Sequence, residues 1–299
     1  MRPYRSFLFM PGNRQRMLDK GPTTGADALL PDLEDAVPVK EKATARAMVR
    51  DYVPTVDGLA VFVRINSVAT GMARDDLEAV VVPGLRGVFV AKVESPDEIR
   101  QVAAWLEALE EAAGIEPGTI AIVAMLETAN AVRLGYDIAT ASPRVGSLCY
   151  SGAENGDLQT DLGCDWSVEG TEMLYARSKI VLDARAAGIE YPIEGVYAAL
   201  DDIDGLVADT TLSKRLGYKG RAIIHPRHVE AVNRIYAPQP EEIEYCRGLL
   251  VAFDTALGEG RASVAYRGKM IDYAMAARAR RVLALAAELR SGGAEERAR

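Results

Sequence analysis

The feature that most constrains this chain is a rhythm: short apolar runs rich in β-branched residues return at fairly even spacing, each followed by a stretch of helical periodicity. The runs are RSFLFMPG (5–12), DALLPDLED (27–35), AVFVRIN (60–66), GVFVAKVE (87–94), TIAIVAMLE (119–127), SLCYSGAEN (147–155), a weaker IEGVYA (193–198) and RAIIHP (221–226). Near-continuous apolar strands alternating with helices predict a parallel sheet covered on both faces. Eight such units in a chain of 299 residues predict an α/β fold closed into a (β/α)8 TIM barrel. An open, doubly wound sheet is the alternative, but no GxGxxG follows any strand and no phosphate-cradling GxxxxGK[ST] is present. The clearest helix is SPDEIRQVAAWLEALEEAAG, with Ser95 as cap, Pro96 in the first turn, acids early and Gly114 at the stop. We expect the barrel to occupy 1–235 and a C-terminal helical extension or lid, carrying Asp272, to occupy 236–299.

The ends of those runs are charged. Glu34 and Asp35, Arg64, Lys92 and Glu94, Glu127, and the segment from Glu154 to Asp157 close five successive strands. In a parallel barrel all of these ends meet on one face, where active sites are built. One charged strand end is ordinarily a solvated loop; five in a row, of both signs, imply a pocket whose charges answer one another. Composition is that of a soluble globular protein, 49% hydrophobic and 26% charged, and the net charge of −8 argues against nucleic acid as the main partner. Cys149, Cys164 and Cys246 are scattered and lack a CxxC spacing, which fits a reducing cytoplasm. No run reaches membrane-spanning length, and the N-terminal apolar stretch is too short for a signal peptide, so a cytoplasmic location away from membranes is expected.

Glu127 and Asp157 end neighbouring strands with no His or Cys nearby. Oxygen-only donors suit a hard cation, and two carboxylates suit Mg²⁺ completed by water and substrate oxygens. The two histidines, His225 and His228, sit in a proline-broken HPRH and read as a strand-end hydrogen bond and a surface helix residue. Arg64 can clamp a carboxylate or polarise a carbonyl, or it can simply neutralise Glu34 or Asp35. Lys92 reads equally as a site residue or as an ion pair filling a barrel layer. No Ser/His/Asp or Cys/His order supports acyl-enzyme chemistry.

The motifs RSFLFMPGNRQRML, GADALLPDLEDAVP, VFVRIN, VAKVES, AMLETANAV, GAENGDLQTDLG, AIIHPRHVEAVN and GKMIDYAM, in this order, resemble the citrate lyase β-subunit and malyl-CoA lyase family of Mg²⁺-dependent CoA-ester lyases. The resemblance runs nearly end to end. It implies Glu127 and Asp157 as metal ligands, with Glu154 a competing ligand, and Arg64 on a substrate oxygen. It implies Glu34 and Asp35 ordering metal-bound water, and Asp272 as catalytic acid/base. Phe9, Arg14 and Lys20 would lie near the CoA nucleotide, and Ile224 and His225 along the pantetheine path. The partners implied are a CoA thioester such as malyl-CoA or citramalyl-CoA and a 2-oxoacid, in a homo-oligomer, commonly a trimer. A thioesterase step on the same site is compatible with this family. The rival readings are a metal-dependent class II aldolase acting on free 2-oxoacids, and a citrate lyase β-like subunit that needs acyl-carrier partners.

Overall fold

The computed structural model of the chain describes residues 1–167 and 169–295. In chain order, β1 (Ser6–Pro11), α1 (Gln15–Lys20) and β2 (Ala28–Asp32) are followed by α2 (Lys42–Tyr52), β3 (Ala60–Ile65), α3 (Ala73–Val80) and β4 (Leu85–Val90). Then come α4 (Pro96–Ala112), β5 (Ala121–Leu126), α5 (Ala129–Arg133), α6 (Gly135–Ala139) and β6 (Val145–Tyr150). The series ends with α7 (Asp157–Leu162), α8 (Leu174–Ala186), β7 (Ile193–Glu194), α9 (Ile203–Leu216), β8 (Gly220–Ile223) and α10 (Val229–Tyr236). All eight strands are parallel, each pairs with the next, and β8 pairs back onto β1 through Ser6↔Arg221, Phe7↔Ala222 and Leu8↔Ile223. The sheet is a closed barrel.

The strands are shorter than the apolar runs. Glu34, Asp35, Lys92, Glu127 and Glu154 all lie past the last strand residue, because charged side chains that must reach solvent or each other leave the hydrogen-bonded ladder. The weak seventh run shrinks furthest, to Ile193 and Glu194. There Gly195 is required: a Cβ at that position would lie 2.5 Å from the Tyr150 carbonyl oxygen. Pro31 is tolerated inside β2. The β2–β3 register runs through Ala28↔Ala60 and Leu29↔Val61 and resumes at Asp32↔Arg64, so the proline, which has no N–H to give, falls in the gap.

The barrel is filled by alternate residues. Phe7, Ala28, Leu30, Ala60, Phe62, Phe89, Val123, Met125, Cys149 and Ile193 form one buried cluster. Tyr4, Phe7, Phe62 and Phe89 meet edge to face at 5.3–5.9 Å, the geometry in which ring edges meet ring faces. Asp32 and Arg64 follow Leu30 and Phe62 by two residues, and Glu127 follows Met125 by two. They therefore keep the inward phase and become the next layer toward the C-terminal mouth. The α4 helix opens with a complete capping box between Ser95 and Glu98, and Gly114 beyond its end is left-handed.

The chain divides into two compact units, Met1–Ile235 and a second beginning at Tyr236. The second unit is only partly helical. Between α11 (Pro240–Gly258) and α12 (Tyr273–Glu295) lies an antiparallel hairpin, β9 (Val264–Tyr266) and β10 (Lys269–Ile271). Its two turn residues, Arg267 and Gly268, both have positive φ, as a tight hairpin turn demands. The helical extension expected from the sequence is present in these two helices, and the hairpin between them is an addition that was not expected from it. Cys246, Leu249, Phe253, Ile271, Ala276 and Ala279 give this unit its own core. Among the described residues, no helix is long and apolar enough to cross a membrane.

Candidate active site

The turn after β2 builds the first half of the site. Asp32 is fully buried and accepts the backbone N–H groups of Glu34 at 2.9 Å and Ala36 at 3.0 Å, which folds Leu33–Asp35 over the strand end. The same carboxylate takes Arg64 in a two-pronged contact, Nε at 2.6 Å and Nη2 at 2.7 Å, from the directly opposite position on β3. Arg64 Nη1 lies 3.0 Å from Glu34 Oε2, and the Phe9 ring lies under the guanidinium, 4.7 Å from centroid to Cζ. Arg64 is thus held on three sides with little freedom to rotate. Behind the turn, the buried Lys42 ammonium donates to the carbonyls of Leu33 at 2.7 Å and Glu34 at 2.9 Å. Asn66 donates to the Leu33 carbonyl at 2.9 Å and is itself fixed by Asp76. Gly12 lets β1 end against this turn, since a Cβ there would lie 2.7 Å from the Asp32 carbonyl oxygen.

Lys92 and Glu127 form the second half. Glu127 is 2% exposed; its Oε2 accepts the Lys92 N–H at 2.7 Å and it is also bonded by Ser151. Burial pushes its carboxyl up to about 7, against the pull of Arg64 and of those hydrogen bonds. The Lys92 ammonium contacts Glu34 at 2.9 Å, both oxygens of Asp35 at 3.2 Å and Asp157 at 3.6 Å. Partial burial works against that charge, yet Glu34 and Asp35 hold the ammonium well above the usual lysine range. Burial raises Glu34, with Arg64 and Lys92 offsetting part of the effect. For Asp35 burial also pushes upward, but the contacts with Glu34 and Lys92 prevail and keep it below the ordinary carboxylate range. Lys92 lies beyond β4 and does not fill a barrel layer.

The mouth therefore gathers Asp32, Glu34, Asp35, Glu127 and Asp157 against two cations, Arg64 and Lys92. This donor set is all oxygen, carries surplus negative charge and includes one buried carboxylate short of compensation, so it fits a hard divalent cation. Among the described residues, no three His, Cys, Asp or Glu side chains form a ready-made cage, so any such ion needs water or ligand oxygens to complete its shell.

The remaining sequence candidates are dispersed. Glu94 turns to Asn130, whose Nδ2 donates to its carbonyl and carboxylate at 3.0 and 3.1 Å. Glu154 is exposed and borders a separate cavity of about 30 Å³ beside Tyr150, Trp166, Arg177 and Glu194. Arg14 and Lys20 are exposed at the two ends of α1. Ile224 is exposed just past β8, and His225 accepts the Arg227 N–H at 3.2 Å, capping a 3-10 turn. His228 is not the surface residue expected: it is fully buried, its Nε2 lies 3.2 Å from the Leu200 carbonyl and its Nδ1 has no partner. Asp272 is exposed and accepts the Met275 N–H at 3.0 Å, which caps α12. Sequence reasoning left out Asp32 as the residue that orients Arg64, and Lys42 and Asn66 behind it. Asp32 was recoverable, because it shares the inward phase of Leu30 and opposes Arg64 in any in-register pairing of β2 with β3. Lys42 was not, since helical periodicity gives no sign that a lysine points at a neighbouring turn.

A closed parallel barrel whose C-terminal mouth carries a carboxylate-fixed arginine and surplus carboxylates has the architecture on which (β/α)8 enzymes build their sites. Residues 5–226 match the model of the HpcH/HpaI aldolase/citrate lyase family, and the chain belongs to that family. It is similar to the citrate lyase subunit beta of Leuconostoc mesenteroides subsp. cremoris, with 35% identity covering 94% of this chain and 93% of the relative. It is also similar to a (3S)-malyl-CoA thioesterase of Cereibacter sphaeroides, with 32% identity over 95% of each. Among solved structures, CitE from Mycobacterium tuberculosis in complex with magnesium, acetoacetate and coenzyme A superposes with a TM-score of 0.75 at 26% identity, covering 96% of this chain and 98% of that one.

Proposed function

We propose that this chain is a magnesium-dependent carbon–carbon lyase. In this reading it cleaves, or in reverse forms, a 3-hydroxyacyl-CoA such as malyl-CoA or citramalyl-CoA, yielding acetyl-CoA or another acyl-CoA and a 2-oxoacid. The observation that carries the reading is the pairing of Arg64, locked by Asp32, with the buried, under-compensated Glu127. The likeness to proteins named for citrate lyase and malyl-CoA chemistry supports it.

Glu127 and Asp157 would hold the ion, with Glu34 and Asp35 toward its water; when bound, magnesium supplies polarisation of the oxoacid oxygen on which charge develops. Arg64 would donate to that oxygen. Its contacts with Asp32 and Glu34 engage three of five N–H donors and leave two for a ligand. Because Asp32 and Phe9 fix the fork before substrate arrives, little reorganisation is required as charge builds. Arg14 and Lys20 on α1 would meet the CoA phosphates, and Ile224 and His225 would line the approach of the pantetheine arm.

Asp272 would exchange the proton at the acyl carbon. It stands far along the chain from every barrel strand, so it serves a pocket either as a lid or from a neighbouring protomer; on the family resemblance we take the second, in a ring-like homotrimer. Mixing two inactive variants, Asp272→Ala and Glu127→Ala, under conditions of subunit exchange should restore activity. No recovery, with exchange confirmed by mass, would leave each chain to serve itself.

The functional assay is direct. Malyl-CoA and citramalyl-CoA are incubated with the purified protein, with and without EDTA, and acyl-CoA and oxoacid are quantified. Mg²⁺-dependent release of both products is expected, and free CoA appearing after the lyase products would add a thioesterase step. Turnover of free hydroxy-oxoacids with no activity on the CoA esters would replace this reading by a CoA-independent aldolase.

A further inference from the structure

Among the described residues three non-glycine positions lie in the left-handed region, and Lys92, with φ of 48°, is the one whose side chain pairs with the carboxylates of the mouth. A lysine gains nothing intrinsically from that conformation, and outliers of this kind cluster where a site demands them. Here the turn makes two things compatible. The backbone N–H reaches Glu127 Oε2 at 2.7 Å while the side chain reaches the other way, its Nζ 2.9 Å from Glu34, 3.2 Å from Asp35 and 3.6 Å from Asp157. The ammonium thus touches three of the five carboxylates of the mouth, and the backbone N–H of the same residue holds a fourth. An ammonium and a divalent ion ask for the same surroundings, several oxygens converging within a few ångströms. The two cannot share them, since like charges at such separations repel strongly wherever water is partly excluded.

We propose that Lys92 is a resident counter-ion, displaced on metal binding: its ammonium holds the carboxylates of the mouth together in the metal-free protein and must swing out when a divalent cation enters. The proposal rests on the reading of the mouth as a magnesium site. The hinge is already present. The N–H contact to Glu127 belongs to the backbone, while the ammonium is carried on a flexible four-carbon stem and is 31% exposed, so it can leave without disturbing Glu127. Lys92 accordingly holds the carboxylates together when no metal is bound and weakens metal binding.

The test is titration calorimetry of EDTA-stripped protein with MgCl₂, paired with melting curves in EDTA and in saturating MgCl₂. Lys92→Met keeps most of the stem and removes the charge. It should bind Mg²⁺ about tenfold more tightly than the parent, melt at a lower temperature in EDTA and show a larger rise on adding metal. Lys92→Arg, which keeps the charge, should stay close to the parent in affinity. Lys92→Gly guards against a folding defect, since it removes the ammonium and relieves the left-handed strain, and it should reproduce the gain in affinity. Equal or weaker Mg²⁺ binding by Lys92→Met and Lys92→Gly would overturn the proposal and make Lys92 a support of the metal site. A parent protein that binds no Mg²⁺ would overturn instead the reading of the mouth as a magnesium site, and the proposal with it.

Discussion

Two regions of the barrel concentrate charge, and they do so in opposite ways. At the mouth five carboxylates face Arg64 and Lys92. Where α8 and α9 meet β7 and β8, Arg177 and Arg221 face Glu194 and Asp209, two against two. Arg177 contacts Glu194 at 3.0 Å and Asp209 at 2.9 Å, and Arg221 bonds Asp209, the Thr210 hydroxyl at 2.6 Å and the Gly195 carbonyl at 2.9 Å. The balanced cluster satisfies itself and fixes the shortest strand of the barrel. The unbalanced one leaves a buried carboxylate raised to about 7 and an arginine with donors to spare. Such uncompensated charge is what makes the mouth, and not the balanced cluster, the candidate site.

The sharpest way to break this contrast is Arg64→Lys. Charge is kept but the planar fork is lost, and activity should fall by about 10²–10³-fold while the melting temperature changes little. A variant within threefold of the parent in kcat/KM would reduce Arg64 to charge neutralisation.

In the balanced cluster the expected loss is one of stability. Arg177→Met strands Glu194 in a buried position and should cost about 3–5 kcal/mol by urea denaturation, while the folded fraction keeps its activity. The double variant Arg177→Met/Glu194→Gln should recover part of that loss, because it removes the orphaned charge together with its partner.

Glu127→Gln should do the reverse of Arg177→Met, abolishing Mg²⁺-dependent activity while raising stability in EDTA at pH 8. The folded carboxyl titrates near 7 and the unfolded one near 4.5, so the folded state binds more protons between these values. Its ionisation thus erodes stability as pH rises from about 4.5 to 7 and leaves a constant penalty above. The shift corresponds to at most about 3 kcal/mol. Urea titrations at pH 5 and pH 8 should show the gain at pH 8 and little at pH 5.

The smallest effect belongs to His228, at the edge of the balanced cluster. Burial lowers its pKa below the ordinary 6.5, with the charges of His225 and Arg221 acting in the same sense. The unfolded chain therefore binds the proton first as pH falls. Stability should therefore decline as pH falls below about 6.5. His228→Gln should flatten that part of the profile.

The barrel was legible because its signal is local and repeated: each apolar run needs only its own composition and the helix after it to declare a buried parallel strand. Residues such as Arg64 and Glu127 were legible for the same reason, since a charge that keeps the inward phase of its strand is carried to the mouth. The second unit's hairpin was not, because VAYRGKMI offers only three residues per strand, too few for an alternation to stand out.

By itself the sequence determined which residues stand at the C-terminal ends of the strands, for strand phase is a property of the chain alone. Tertiary structure decided which of them meet. Glu34, Asp35, Lys92 and Asp157 come from three separate loops, and Glu94 and Glu154, as plausible on paper, do not join them: Glu94 is bonded by Asn130, and Glu154 is exposed beside a separate cavity. The contact between Arg64 and Asp32 depended on the register between β2 and β3. The position of Lys92 depended on a backbone conformation that no lysine prefers. Register and loop direction are settled by what packs against them from distant parts of the chain, so a residue's neighbours in space are written only in the folded molecule.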